Sequence, residues 1–553
     1  MNAALAGFLQ VGLLIAALAI CYRPLGDYIA HVVTTDKDWR VEKAIYRTMG
    51  VDSKADMRWS VYARSVLAFS AISVLAVYAF ERLQAHLFLS NGQGTIPANL
   101  AWNTAASFTT NTNWQNYSGE TTMGYLSQMS GLAVQNFVSA AVGICVAIAM
   151  VRGFVRSRTD KLGNFWVDLI RITLRVLLPL SIIGALIYVG GGAVDNFTAT
   201  HVIHTLTGSR QAVVGGPVAS QEIIKNMGNN GGGFYNANSG HPFENPTPFT
   251  NWFTIFVLLL IPFALCRTFG KMVRDNRQGY ALVAVMGIMW AASASLITFF
   301  EHQHSGSAFK VIGAAMEGKN VAFGIPGSSL FAASTTMTST GAINSWHDSF
   351  SPFGGGVVLF NMMMGEITPG GVGAGLYGLL IVAVITVFVG GLMVGRTPEY
   401  LGKKIRPVEM KYAALYILTM PTIVLAFSAL SLAFAVPRRS ILNAGPHGLS
   451  EMVYAYTSMT NNNGSAFAGL SANTTWFNAT GGIAMLLGRF IPEIFTLGFA
   501  GFIAKQQSTP ASVGTMPTHK PLFVGMMIGV ILIVVGLTFF PALALGPFAE
   551  GLH

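Results

Sequence analysis

Residues 460–467 read TNNNGSAF: three consecutive asparagines and a glycine in a 553-residue chain that is otherwise apolar. A side-chain amide in hydrocarbon costs several kcal/mol unless it finds a partner. The stretch is therefore either an exposed surface loop or irregular backbone lining something wet, and its surroundings decide which.

The chain is 52% hydrophobic and only 10% charged, against about 25% charged in a soluble protein. It reads as an all-α polytopic membrane protein. Ten apolar runs lie at approximately Leu5–Tyr22, Val61–Phe80, Gly131–Val151, Ile172–Gly190, Trp252–Cys266, Tyr280–Phe300, Gly371–Val394, Tyr412–Val436, Gly482–Ala504 and Leu522–Gly546. Most approach the ~20 residues that span a bilayer as a helix. A shorter run, Phe353–Met364, precedes the seventh. The first run has no Lys or Arg ahead of it and no clear cleavage site after it, so it reads as a retained helix rather than a signal peptide. Cys21, Cys145 and Cys266 all fall in or beside apolar runs, with neither disulfide nor metal spacing.

Charge predicts the orientation. Arg23–Ser60 holds seven Lys/Arg, 152–168 four, 267–279 four, 396–411 five and 505–520 two; the alternate connections hold seven together. The positive-inside bias puts the first set in the cytoplasm and both termini outside. The net charge of +10 then calls for no nucleic-acid partner.

Four outer connections share a pattern, a modest amphipathic run and then small polar residues: NLAWNTAASFTTNTNW (99–114), ASQEIIKNMGNNGGG (219–233), GSSLFAASTTMTSTGA (327–342) and GLSEMVYAYTSMTNNNGSAF (448–467). Their cores align as Asn111-Thr112-Asn113, Asn229-Asn230-Gly231, Ser339-Thr340-Gly341 and Asn462-Asn463-Gly464, with spacings of 118, 110 and 123 between middle residues. This is an internal fourfold repeat. The expected organisation is an extra first helix with its cytoplasmic connection (1–60), four helix–pore-loop–helix units around a central pore (61–168, 169–278, 279–411 and 412–519) and an extra last helix (520–553).

Four polar loops on one axis can turn backbone carbonyls inward and replace the water around a cation, and Gly, Asn, Thr and Ser suit the tight backbone this needs. The short preceding helices would aim their C-terminal carbonyls at the same axis. The cores contain no Asp or Glu, which favours a dehydrated monovalent cation over a calcium-type site. One Asn/Gly-rich loop is ordinarily a turn; four in register between spanning helices favour a filter. The first core ends in Asn113 where the others end in Gly, so the symmetry is quasi-fourfold.

TNTNWQNYSGE (110–120), GNNGGGFYNANSGHPFENPT (228–247), TSTGAINS (338–345) and TNNNGSAF carry a resemblance to the KdpA family, the potassium-binding A subunits of the bacterial Kdp potassium-transporting ATPases. A more distant similarity is to the Trk/Ktr/HKT potassium transporters. The resemblance covers essentially the whole chain. It implies that the four cores, with Thr110, form a selectivity filter for K+, supported by Gln115 and Gly232, and that Gln115 and Gly231 strongly influence potassium affinity and discrimination. It also implies the bacterial inner membrane, no organic cofactor, and three partners: the P-type ATPase KdpB, the accessory KdpC and the small KdpF.

Two further places invite a role. FGGGVVLFNMMMGEITPGGVGAGLYG (353–378) is broken by Gly365, Pro369, Gly370 and Gly371 beneath the expected filter, with an ionisable Glu366. Broken helices at membrane depth occur where they line a cavity, so the segment reads as a gating loop or constriction, against a packing kink. Arg489 in MLLGRFIPEIF (485–495) has Glu493 one turn on. The alternatives are a local pair or a cation in the vestibule below the filter.

The chain is not expected to be an enzyme on its own. The P-type motif Asp-Lys-Thr-Gly-Thr is absent, the nearest string being Asp160-Lys161-Leu162-Gly163, and there is no Gly-x-x-x-x-Gly-Lys-Ser/Thr loop. His302 and His304 lack a third ligand and read as a solvated helix end; His241–Pro246 reads as a rigid outer turn. The leading function is the potassium-selecting subunit of an ATP-driven uptake complex. The alternatives are a stand-alone Trk/Ktr-like channel or cation symporter, and a non-transporting scaffold.

Overall fold

The structure is a computed structural model that describes residues 3–198, 200–303, 316–365, 367–395, 398–510 and 515–552. Its principal helices are α1 (Ala3–Thr34), α2 (Arg40–Met49), α3 (Trp59–Leu83), α4 (Ala98–Thr109), α5 (Ser127–Val155), α6 (Phe165–Gly190), α7 (Val218–Met227), α8 (Pro248–Met272), α9 (Asn276–His302), α10 (Gly324–Met337), α11 (Pro352–Met363), α12 (Ala374–Val394), α13 (Pro407–Ala433), α14 (Gly445–Thr460), α15 (Thr475–Lys505) and α16 (Pro521–Leu552). Among the described residues ten are long and apolar enough to cross a membrane: α1, α3, α5, α6, α8, α9, α12, α13, α15 and α16. All ten apolar runs are found, most of them in helices that outlast them at one or both ends.

The ends have local causes. Thr247, Asp275, Ser351 and Thr474 cap α8, α9, α11 and α15 through their side chains, and Pro248, Pro352, Pro407 and Pro521 stand in first turns, where a missing N–H costs nothing. Helix α1 runs on through Pro24 to Thr34 because its polar end has a partner: Asp27 takes Arg267 of α8 at 2.7 Å. Among the described residues three small antiparallel pairs lie outside the spans, of which His201–His204 with Arg210–Val213 is the longest.

The short helices α4, α7, α10 and α14 set the architecture. Each packs on the first long helix of its own unit (α3, α6, α9, α13) and on the second helix of the unit before it. For α4 that preceding helix is α15, so the fourth unit closes onto the first. The core sits on this axis: the most apolar stretches of α5 and α8 are each 83% buried, against 11% for α1. Helix α1 packs along α8, and α16 packs on α9 and α12.

Beyond the spans, α2 is pinned to α6 by Glu42 with Arg175 and by Asp38 with Arg171 at 2.7 Å. On the opposite side His447, at the start of α14, bridges Asp348 and Glu550 at 2.9 Å each. Cys145 and Cys266 are buried. His302 is exposed and its Nδ1 meets the Thr298 carbonyl at 2.7 Å; His304 lies outside the described residues.

Candidate functional site: four loops in a ring

Each short helix ends in the same way. The N–H of the middle core residue returns to the carbonyl five residues earlier: Thr112 to Ser107 (3.0 Å), Asn230 to Lys225 (2.8 Å), Thr340 to Thr335 (3.1 Å) and Asn463 to Ser458 (2.9 Å). The first and third core residues of every loop have positive φ: Asn111 67° and Asn113 55°, Asn229 48° and Gly231 91°, Ser339 58° and Gly341 75°, Asn462 59° and Gly464 99°. Asn and Gly are the residues that visit this region most readily. Reversing φ at every second residue turns successive carbonyls to one side, where a strand would alternate them.

The first core residue of each loop binds the next loop. Asn111 Nδ2 donates to the Asn229 carbonyl (2.9 Å), Asn229 Nδ2 to Thr340 Oγ1 (3.0 Å), Ser339 Oγ to the Asn461 carbonyl (3.0 Å), and Asn462 Nδ2 to Thr112 Oγ1 (2.8 Å). The ring closes in chain order and alternates in chemistry. Loops one and three donate to backbone; loops two and four donate to a threonine hydroxyl, which is itself held by Thr110 or Thr338 at 2.7 Å.

The third residue packs into the next seam. A Cβ on Gly231 would overlap the Thr340 carbonyl, one on Gly341 the Asn463 carbonyl, and one on Gly464 the Thr112 carbonyl. At the seam between loops one and two the third residue is Asn113, whose amide reaches Asn136 at 2.5 Å. There the glycine has moved to the partner: a Cβ on Gly232 would stand 2.9 Å from the Asn113 Cβ. Gln115 closes this seam with both ends of its amide, accepting from Gly233 N (3.0 Å) and donating to the Gly233 carbonyl (3.1 Å). Both expected support residues, Gln115 and Gly232, thus lie where the symmetry departs.

The ring separates two cavities. All four third residues, Asn113, Gly231, Gly341 and Gly464, line one of about 540 Å³. The other, about 90 Å³, is lined by Ser339, Asn462, Gly365, Ile367 and Arg489, and by Val534 and neighbouring residues of α16. It is offset toward the third and fourth units.

Between α11 and α12 the chain leaves the helix. Gly365 and Gly370 both have φ 74°, and Gly370 N donates to the Met337 carbonyl at the end of α10 (2.7 Å). A Cβ on Gly371 would stand 2.8 Å from the Ser339 Cβ. The break therefore sits against the foot of the third loop, and Pro369 lies within it; Glu366 lies outside the described residues. Arg489 and Glu493 pair at 2.8 Å, their side chains 6% and 1% exposed. Arg489 is thus paired, and it also lines the smaller cavity.

Several residues escaped the sequence reading. Ser139 and Asn136 of α5 brace loop one, Ser139 Oγ donating to Asn111 Oδ1 at 2.8 Å. Behind loop two, Lys225 sits fully buried between Glu222 and Glu244 at 2.5 Å each. Glu244 falls in the stretch read only as an outer turn.

Residues 12–552 match the family model for the potassium-transporting ATPase A subunit, KdpA. A protein of Streptomyces avermitilis named potassium-transporting ATPase potassium-binding subunit is 59% identical over 552 residues, covering 100% of both chains. One of the same name from Mycobacterium avium is 57% identical over 556 residues, again covering 100% of both. The potassium transporter TrkH of Vibrio parahaemolyticus shares the fold at TM-score 0.53 and 13% identity, over 89% of this chain and 96% of that one.

Proposed function

We propose that this chain, which belongs to the KdpA family of potassium-transporting ATPase A subunits, selects potassium from outside the cell and passes it to a P-type ATPase chain. It is a multi-pass membrane protein; on this reading both termini are extracytoplasmic in a bacterial inner membrane, and the working units are 61–168, 169–278, 279–411 and 412–519 between the flanking 1–60 and 520–553. KdpB hydrolyses ATP, and KdpC and KdpF complete the complex.

The ring closed from Asn462 to Thr112 carries this reading. A potassium ion arriving in the larger cavity exchanges its water for carbonyls of the four cores. The ends of α4, α7, α10 and α14 add partial negative charge from four sides. Side-chain ties between loops hold the carbonyls apart, so a smaller ion is under-coordinated while potassium is not. Below the ring the ion meets the Gly365–Gly371 break and the Arg489 cation, which opposes free flow. It then leaves sideways, on the side toward the third and fourth units where the smaller cavity lies among α12, α13 and α16.

The test is ATPase activity in the complex purified through a tag on this chain. Potassium-stimulated hydrolysis that copurifies supports the subunit reading. Potassium conduction by the pure chain with no ATPase present replaces it with a stand-alone channel.

A further inference from the structure

Three repeats tie the exit of their loop with a hydroxyl at one aligned position. Ser107 Oγ donates to the Trp114 carbonyl (2.9 Å), Thr335 Oγ1 donates to the Ala342 carbonyl (2.6 Å), and Ser458 Oγ accepts from Gly464 N (3.0 Å). In the second repeat that position is Lys225. Its ammonium, fully buried, cannot make the short tie and donates instead to Asn238 Oδ1 at 2.8 Å. Asn238 Nδ2 in turn donates to the Gly231 carbonyl at 2.6 Å. Gly231 and Asn238 both line the larger cavity, so the relay ends at the mouth of the ring.

The relay is held from behind. Glu222 Oε1 accepts from Asn226 (2.9 Å) and Ser239 (2.8 Å), and Glu244 Oε1 accepts from Tyr235 N (2.8 Å). Asn238 takes φ 53°, which turns its amide back toward the glycine. A hydrogen bond polarised by a neighbouring ammonium in a dry environment is stronger than one between neutral groups alone.

We propose that Lys225, acting through Asn238, is a positioning residue that fixes the Gly231 carbonyl and so sets how strictly the ring distinguishes potassium from sodium. A carbonyl pinned from behind cannot swing inward to complete the shell of a smaller cation, so the relay raises discrimination more than it raises binding of any one ion. This rests on the ring being the potassium site.

The experiment measures ion-dependent thermal stabilisation of the purified full-length chain, titrated separately with potassium and sodium. Asn238→Gly removes the relay while leaving the backbone free to keep its φ. We expect the potassium-to-sodium ratio to fall about tenfold, chiefly because the freed carbonyl lets sodium bind more tightly, in keeping with the loss of one polarised hydrogen bond. Lys225→Met with Glu222→Gln and Glu244→Gln keeps Asn238 but removes the ammonium behind it; the potassium-to-sodium ratio falls there too, and this variant decides if the first does not fold. Wild-type ratios in both variants, with Gly231→Ala losing potassium binding, overturn the relay and leave the ring standing. If Gly231→Ala also binds potassium normally, the ring reading fails and takes the relay with it.

Discussion

Asn462 donates to the hydroxyl of Thr112 at 2.8 Å across 350 residues of chain. That bond joins the last loop to the first and turns four separate repeats into one closed ring. The same amide also reaches the Met485 carbonyl of α15 at 3.2 Å, so it ties the ring to its surrounding helix as well as to itself.

Asn462→Gly keeps the left-handed backbone available and removes both bonds. Each is worth about 1 kcal/mol net, so potassium half-saturation rises by at least about tenfold. Asn462→Ala adds the strain of a Cβ at φ 59° and shifts further. Potassium titrations of thermal stability check both; equal, wild-type values for the pair would remove the ring closure from the mechanism.

Removing one member of the buried Arg489–Glu493 pair costs stability, about 3–5 kcal/mol in comparable cases. Both Arg489→Gln and Glu493→Gln therefore lower the melting temperature. Only Arg489→Gln increases passive potassium flux in liposomes without ATP, because it removes the cation from the cavity below the ring. Equal flux from the two variants contradicts the vestibule role.

On the far side of the ring, burial works against a charged His447, but the carboxylates of Asp348 and Glu550 outweigh it and push the ring up to about 10 from 6.5. Glu451 faces the same group, and Phe467 stacks on it. A folded-state value above the unfolded one means stability that is fully present below about pH 6.5 and lost as pH rises through 10. The melting-temperature gap between wild type and His447→Gln therefore narrows from pH 6.5 to 10, measurable by a pH series of thermal scans.

The spans and the repeat were legible because both are local. An apolar run and a small polar core after a short amphipathic helix survive in any window of the sequence, and the positive φ at Asn111, Asn229 or Asn462 follows from a residue that tolerates it. The ties between loops were not legible. Nothing near Asn229 announces Thr340 as its partner, 111 residues away, because the seam exists only once the ring has closed. Asn113 looked like a broken repeat, and the room it needs is supplied by Gly232 in another loop. Lys225 counted as one more outer-loop charge, since its partners Asn238 and Glu244 arrive from a turn 13 and 19 residues on.

The central claim is that the four cores together make one potassium site. The most direct measurement is equilibrium potassium binding to the purified chain carrying Gly464→Ala, at the seam between the fourth loop and the first, where the added Cβ overlaps the Thr112 carbonyl. The account predicts loss of potassium binding with the fold intact by size-exclusion and helical content. Wild-type potassium affinity in that variant would contradict it.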